Sequence, residues 1–181
     1  MSTIKVKTIS EKVLYQRSEN VTKFDSELRN LVKNMFDTMY NERGVGLAAV
    51  QIGVLKRVMV IDLEDSGFIK GTFINPVLVE QSEEIQIGEE GCLSIPGVVA
   101  QLKRPRWIKI GYQDIFGEPK TVEGENLLAR AFLHEMDHLD GKVFIDLLEP
   151  DIRKEVEPQI NIIKKGGTIA DGTRPDYRKN K

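Results

Sequence analysis

From Leu28 onward the apolar positions Leu28, Leu31, Val32, Met35, Phe36, Met39 and Tyr40 recur at intervals of three and four, which predicts a helix with one broad buried face. Asp25 or Ser26 offers an N-cap oxygen at its start, and the pattern runs to about Tyr40. Stretches rich in β-branched residues follow. Arg57 to Leu63 and Thr72 to Val79 predict strands. The second crosses Asn75-Pro76 and is therefore placed at a sheet edge, where a missing N–H costs least. Ile108 to Gln113 and Lys120 to Val122, joined through Asp114-Ile115-Phe116-Gly117, predict a hairpin with a longer loop. A second helix is predicted from about Asn126 to Leu139, apolar on more than one side and stopped by Gly141. A third spans Asp151 to Lys164 and carries Pro158. The expected fold is α+β: small, mostly antiparallel sheets packed around a central buried helix, with an N-terminal and a C-terminal helix. Residues 1–165 read as one domain, and 166–181 as a polar, flexible tail.

Composition narrows the class more than the function. The 181 residues are 40% apolar and 30% charged, as in ordinary globular proteins. The net charge of −2 and a pI near 5.8 leave no global positive field, so DNA is not an expected partner. Met1 to Ser10 lacks the continuous apolar core of a signal peptide, and no run of about 18 apolar residues suggests a membrane span. The single cysteine, Cys92, fits a reducing cytoplasm and leaves open what that thiol does.

The sharpest chemical signal lies in the second predicted helix. His134-Glu135-Met136-Asp137-His138 places two imidazoles one turn apart on one face, the spacing at which both can hold one metal ion. They are the only histidines in the chain, on an otherwise apolar helix. Burying them unpaired would cost on the order of 2 kcal/mol per group, so a metal is the economical partner. Glu135 is offset from that face but can reach a water on the same ion and move its proton. A catalytic site needs a third ligand, for which carboxylates and Cys92 are available. Cys92 alone would read as a small buried hydrophobe. Its setting, Glu90-Gly91-Cys92-Leu93-Ser94-Ile95-Pro96-Gly97, suggests instead an exposed irregular turn, in which Glu89 and Glu90 would raise a free thiol's pKa unless a cation held it as thiolate. Gly44-x-Gly46-x-x-Ala49 formally fits a dinucleotide fingerprint, but a helix rather than a strand precedes it. Its glycines suit a close approach of backbone to substrate. Gln51 could donate to a developing oxyanion or simply close a turn, and sequence physics leaves both open.

Together Gly44 to Gln51, Glu90 to Ser94 and His134 to His138 resemble the three ordered motifs of the peptide deformylase family, a likeness that covers about residues 24–148. The resemblance implies a metallo-amidase that hydrolyses the N-formyl group from the initiator methionine of newly made polypeptides, releasing formate. It implies Cys92, His134 and His138 as ligands of Fe(II), with zinc, nickel or cobalt able to occupy the site. A water on the ion would attack the formyl carbonyl, with Glu135 as general acid/base and the Gln51 side chain and Leu93 N–H as oxyanion donors. Gly46 would lie beside the substrate, and Val45, Leu127 and Ala131 match positions that line the methionine pocket; ordinary core packing would also account for these three. Leu133, Arg43, Val99 and the segment Ile9 to Val13 depart from the family pattern. Arg130 reads as a solvated surface arginine, with hydrogen bonds that support the ligands as the alternative, and Asp137 as either a partner of a ligand imidazole or a capping carboxylate. The basic tail from Lys164 could touch ribosomal RNA transiently, though a solvated tail is the favoured reading. Two other readings remain. A zinc endopeptidase would draw a ligand from Glu149, Glu155 or Glu157, and a binding domain with a structural metal would need a fourth ligand.

Overall fold

The computed structural model describes residues 3–64 and 69–169. The first helix, α1 (Ser26–Asn41), starts where the Asp25 carboxylate accepts the N–H groups of Glu27 and Leu28, each at 3.0 Å. Such a cap contributes about 1 kcal/mol. Its buried residues Leu28, Val32, Met35 and Met39 close an apolar cluster against Leu47 and Val60, on the short strands β1 (Gly46–Ala48) and β2 (Val58–Asp62).

Five strands form one antiparallel sheet in the order β1-β2-β3-β6-β7, with β3 (Lys70–Gln81), β6 (Trp107–Gln113) and β7 (Pro119–Glu125). The predicted β6–β7 hairpin is present, from Trp107 opposite Glu125 to Gln113 opposite Pro119. The expectation for Asn75-Pro76 needs correction: β3 is the middle strand, not an edge. The proline is tolerated because pairing with β2 ends at Ile74, opposite Val58, and the register to β6 shifts between Ile74 and Val77. Asn75 takes φ 51° there. Its amide holds the bulge by donating to Val21 O (2.9 Å) and Gln113 Oε1 (2.7 Å) and accepting from Val21 N (2.8 Å).

A separate two-stranded sheet, β4 (Ile85–Cys92) with β5 (Ile95–Pro105), has no counterpart in the sequence reading. The hydrophobic alternation of β4 is inverted: Ile85 and Ile87 are exposed, while Glu90 and Cys92, on the opposite face with Gln86 and Gly88, are buried. Cys92 is therefore not on an exposed turn; it is the last, buried residue of a strand.

Helix α2 (Leu127–Leu139) runs through the middle of the molecule, as expected. Phe132 meets Phe73 of β3 edge-on, with centroids 4.8 Å apart. Gly141 follows the helix with φ 74°, and a Cβ there would lie 2.8 Å from Tyr15 O. Gly141→Ala should thus destabilise the fold by about 1–3 kcal/mol, from left-handed strain plus a backbone clash; urea denaturation of the metal-free protein measures it.

Helix α3 (Pro150–Lys164) buries Val156, Ile160 and Ile163, with Pro158 on its exposed side. Past α3, Ile169 packs back against the main core, on Gly97. Residues 170–181, with most of the basic tail, lie outside the described residues. Among the described residues no helix is long and apolar enough to cross a membrane.

Candidate metal centre

Two imidazoles from α2 and one thiol from β4 converge. The His134 and His138 rings lie 5.1 Å apart, His138 Nε2 is 3.1 Å from Cys92 Sγ, and the ligand atoms of all three residues lie within 4.8 Å of one another. A tight turn from Cys92 into β5, with Cys92 paired to Ile95, points the sulfur inward. Ser94 N donates to Cys92 Sγ at 3.4 Å, and Ile9 N donates to Ser94 O at 3.2 Å. The N-terminal segment therefore supports this turn directly.

The electrostatics favour thiolate. Burial alone would raise the Cys92 pKa, but the imidazoles of His138 and His134 hold it well below the ordinary thiol range. The expectation that Glu89 and Glu90 raise it is thus overturned, because the Glu90 carboxylate faces other groups. It accepts from His134 Nδ1 (2.9 Å), Arg104 Nε (2.8 Å) and Nη2 (3.0 Å), and Arg130 Nη1 (2.9 Å). Against the cost of burial, His134 and Arg104 keep it ionised well below the usual carboxylate range. An ionised carboxylate at Nδ1 requires the N–H there, so Nε2 is the nitrogen at which a metal would take the place of a proton. Asp137 is not the acceptor for a ligand imidazole; it pairs with Arg104 Nη1 at 2.6 Å. Arg130 is not a solvated arginine either, being 5% exposed. Glu90 and Arg104 were missed as site residues. The signal for Glu90 was its place two residues before Cys92 on one strand face; nothing in the sequence singled out Arg104.

Glu135 is buried beside the donors, and burial pushes its pKa up to about 7. Its Oε2 has no hydrogen-bond partner among the described residues. A Cβ at Gly46 would lie 2.5 Å from Glu135 Oε1, so that glycine leaves room for the carboxylate. Gln51, 1% exposed, accepts from Ala48 N at 2.8 Å and donates to Ser94 Oγ (3.2 Å) and Cys92 Sγ (3.5 Å). Val45, Gly46, Gln51, Cys92, Leu93, Leu127, Ala131, His134 and Glu135 line one cleft, along with Arg43, Val99 and Arg130. His138 is deeper, 1% exposed. Leu133 packs on the core.

This donor set fits a divalent cation: one thiol and two imidazoles whose ligand atoms lie within 4.8 Å of one another, and an orphaned carboxylate oxygen nearby. Among the described residues the cluster holds no fourth ligating side chain, as a closed structural site would need. Glu149 and Glu157, which an endopeptidase could have used, pair instead with Lys103 and Arg153. Fold and site together define the class of a metal-dependent hydrolase.

The comparisons with known proteins take the assignment further. The polypeptide deformylase family model matches residues 3–154. A peptide deformylase of Thermoanaerobacter pseudethanolicus is 45% identical over 155 residues, 86% of this chain and 95% of its own. One from Finegoldia magna is 40% identical over 157 residues, 87% and 96% of the two chains. The crystal structure of a peptide deformylase from Legionella pneumophila superposes with a TM-score of 0.83 at 37% identity, covering 90% of this chain and 96% of that one. The chain belongs to the polypeptide deformylase family, whose metal-dependent enzymes remove the formyl group from nascent peptides.

Proposed function

We propose that this chain removes the N-formyl group of the initiator methionine by hydrolysis in the cytoplasm, releasing formate, with Cys92, His134 and His138 holding one divalent metal, Fe(II) natively. The convergence of those three donors beside Glu135 carries the reading. When bound, the cation supplies a Lewis acid that polarises the formyl C=O and lowers the pKa of an adjacent water. The Glu135 carboxylate takes one proton from the attacking water and returns it to the leaving nitrogen, so that the formamide and water become formate and a free amine. Gln51 Nε2, already directed toward Cys92 Sγ, donates with the Leu93 N–H to the carbonyl oxygen as negative charge develops there. Gly46 lies beside the peptide, and its missing side chain leaves room for Glu135 next to it. Val45, Leu127 and Ala131 form an apolar wall suited to an unbranched thioether. Zinc, nickel and cobalt can use the same donors, but the thiolate makes the site sensitive to oxidation with a redox-active ion.

Formate release from formyl-Met-Ala-Ser, measured anaerobically on protein loaded with Fe(II), tests the reading. The expected result is turnover with one new amine per formate. Metal-loaded, folded protein without turnover on that peptide would refute it. Transient contact of the basic tail with the ribosome belongs to the same reading, and loss of ribosome co-sedimentation on deleting residues 170–181 is its check.

A further inference from the structure

Two buried guanidinium groups lie next to the ligand set without touching it. Arg104 comes from β5 and binds both Glu90 and Asp137. Arg130 comes from α2, about one turn before His134, and its Nη1 donates to Glu90 Oε1 (2.9 Å) and Leu102 O (3.0 Å). The rest of the Arg130 guanidinium lies across Gly88 of β4. A Cβ at that glycine would stand 3.0 Å from Nη2 and 3.3 Å from both Cζ and Nε. Gly88 and Glu90 share one face of β4, so the strand supplies both the seat of the guanidinium and its acceptor.

We propose that Arg130 is a positioning residue for the metal centre: seated on Gly88, it locks the Glu90 carboxylate in the orientation that holds the His134 ring toward Cys92 and His138. Glu90 Oε2 is shared by His134 Nδ1 and Arg104 Nη2, whereas Oε1 is shared by Arg104 Nε and Arg130 Nη1. Arg104 grips both Glu90 oxygens through Nε and Nη2 while its Nη1 holds Asp137 at 2.6 Å, and Arg130 adds a second donor to Oε1. With both arginines present, two buried cations face two carboxylates and the network is neutral. Without Arg130 one negative charge is left over and Oε1 keeps a single donor, so the carboxylate, and the imidazole bound to it, are held less tightly. A ligating imidazole depends on such an outer partner for its tautomer and ring angle. Gly88 belongs to the device because a Cβ there, 3.0 Å from Nη2, would displace the guanidinium by a few tenths of an ångström.

The inference rests on Cys92, His134 and His138 being the ligands, and the test separates the two. Metal-free wild type, Arg130→Met, Arg130→Lys and Gly88→Ala are titrated with Co(II) against a chelator of known affinity, with d–d absorption recorded and folding checked by circular dichroism. Arg130→Met is expected to raise the Co(II) Kd by about 10–100-fold and to alter the d–d bands. Arg130→Lys should fall in between, since an ammonium keeps the charge but not the flat guanidinium that rests on Gly88. Gly88→Ala, which keeps every polar group, should shift both readouts in the same direction but less. If Arg130→Met fails to fold, Gly88→Ala decides alone. Wild-type Kd and spectra in the folded variants would overturn the inference. A wild type that binds Co(II) no better than Cys92→Ala would overturn the ligand assignment and this inference with it.

Discussion

Replacing Glu135 with glutamine should lower kcat/KM for formyl-Met-Ala-Ser by at least about a hundredfold, the lower end of what a positioned acid/base group contributes, while the metal content stays at the wild-type level. A hundredfold loss is about 2.7 kcal/mol of transition-state stabilisation. Glutamine has nearly the same shape as glutamate, so it fits the space beside Gly46, where a Cβ would already stand 2.5 Å from the Glu135 carboxylate. It cannot accept a proton from water or return one to a leaving nitrogen. Glu135 is outside the group of ligand atoms that converge, Cys92, His134 and His138, so the substitution removes the proton carrier and leaves the donors in place. Steady-state formate release together with metal analysis of the same sample measures both halves. Activity within a few fold of wild type would show that Glu135 does not carry the proton.

The parts of this site that could be read in the sequence are those with a local period. His134 and His138 are four apart on a helix, and the spacing alone puts both imidazoles on one side. The α1 helix and the β6–β7 hairpin were legible for the same reason, as regular alternation between one wet and one dry face. The β4–β5 sheet was not, because β4 spends its buried face on chemistry. Gly88, Glu90 and Cys92 occupy the side where hydrophobes normally sit, and Ile85 and Ile87 face solvent. A reading that equates apolar with buried therefore turns that strand inside out. The same inversion hid the role of Glu90 and led to the expectation of a carboxylate repelling the thiol, when the carboxylate supports the neighbouring imidazole. Arg130 looked solvated because arginine usually is. Its burial becomes understandable only with Glu90 and Leu102 brought beside it by the fold.

Cys92→Ala should cost metal affinity more than the roughly 10–100-fold that outer partners control, and activity should fall with occupancy. Three protein ligands are the minimum for a catalytic site of this kind, and two imidazoles from one helix turn do not by themselves enclose a cation. The loss should be specific to the metal. The turn that carries Cys92 is held from outside, by Ile9 N on Ser94 O and by Gln51 Nε2 on Ser94 Oγ, so alanine keeps the backbone path. The stabilisation that added metal gives to the wild-type thermal midpoint should therefore disappear. Metal content per chain and the midpoint with and without added Zn(II) check both. Full metal content in folded Cys92→Ala would remove the sulfur from the ligand set. A matching loss in Glu149→Gln, whose carboxylate is exposed and paired with Lys103, would favour the endopeptidase arrangement instead. The contrast decides between them because the two carriers lie on different elements, with the thiol alone within reach of both imidazoles.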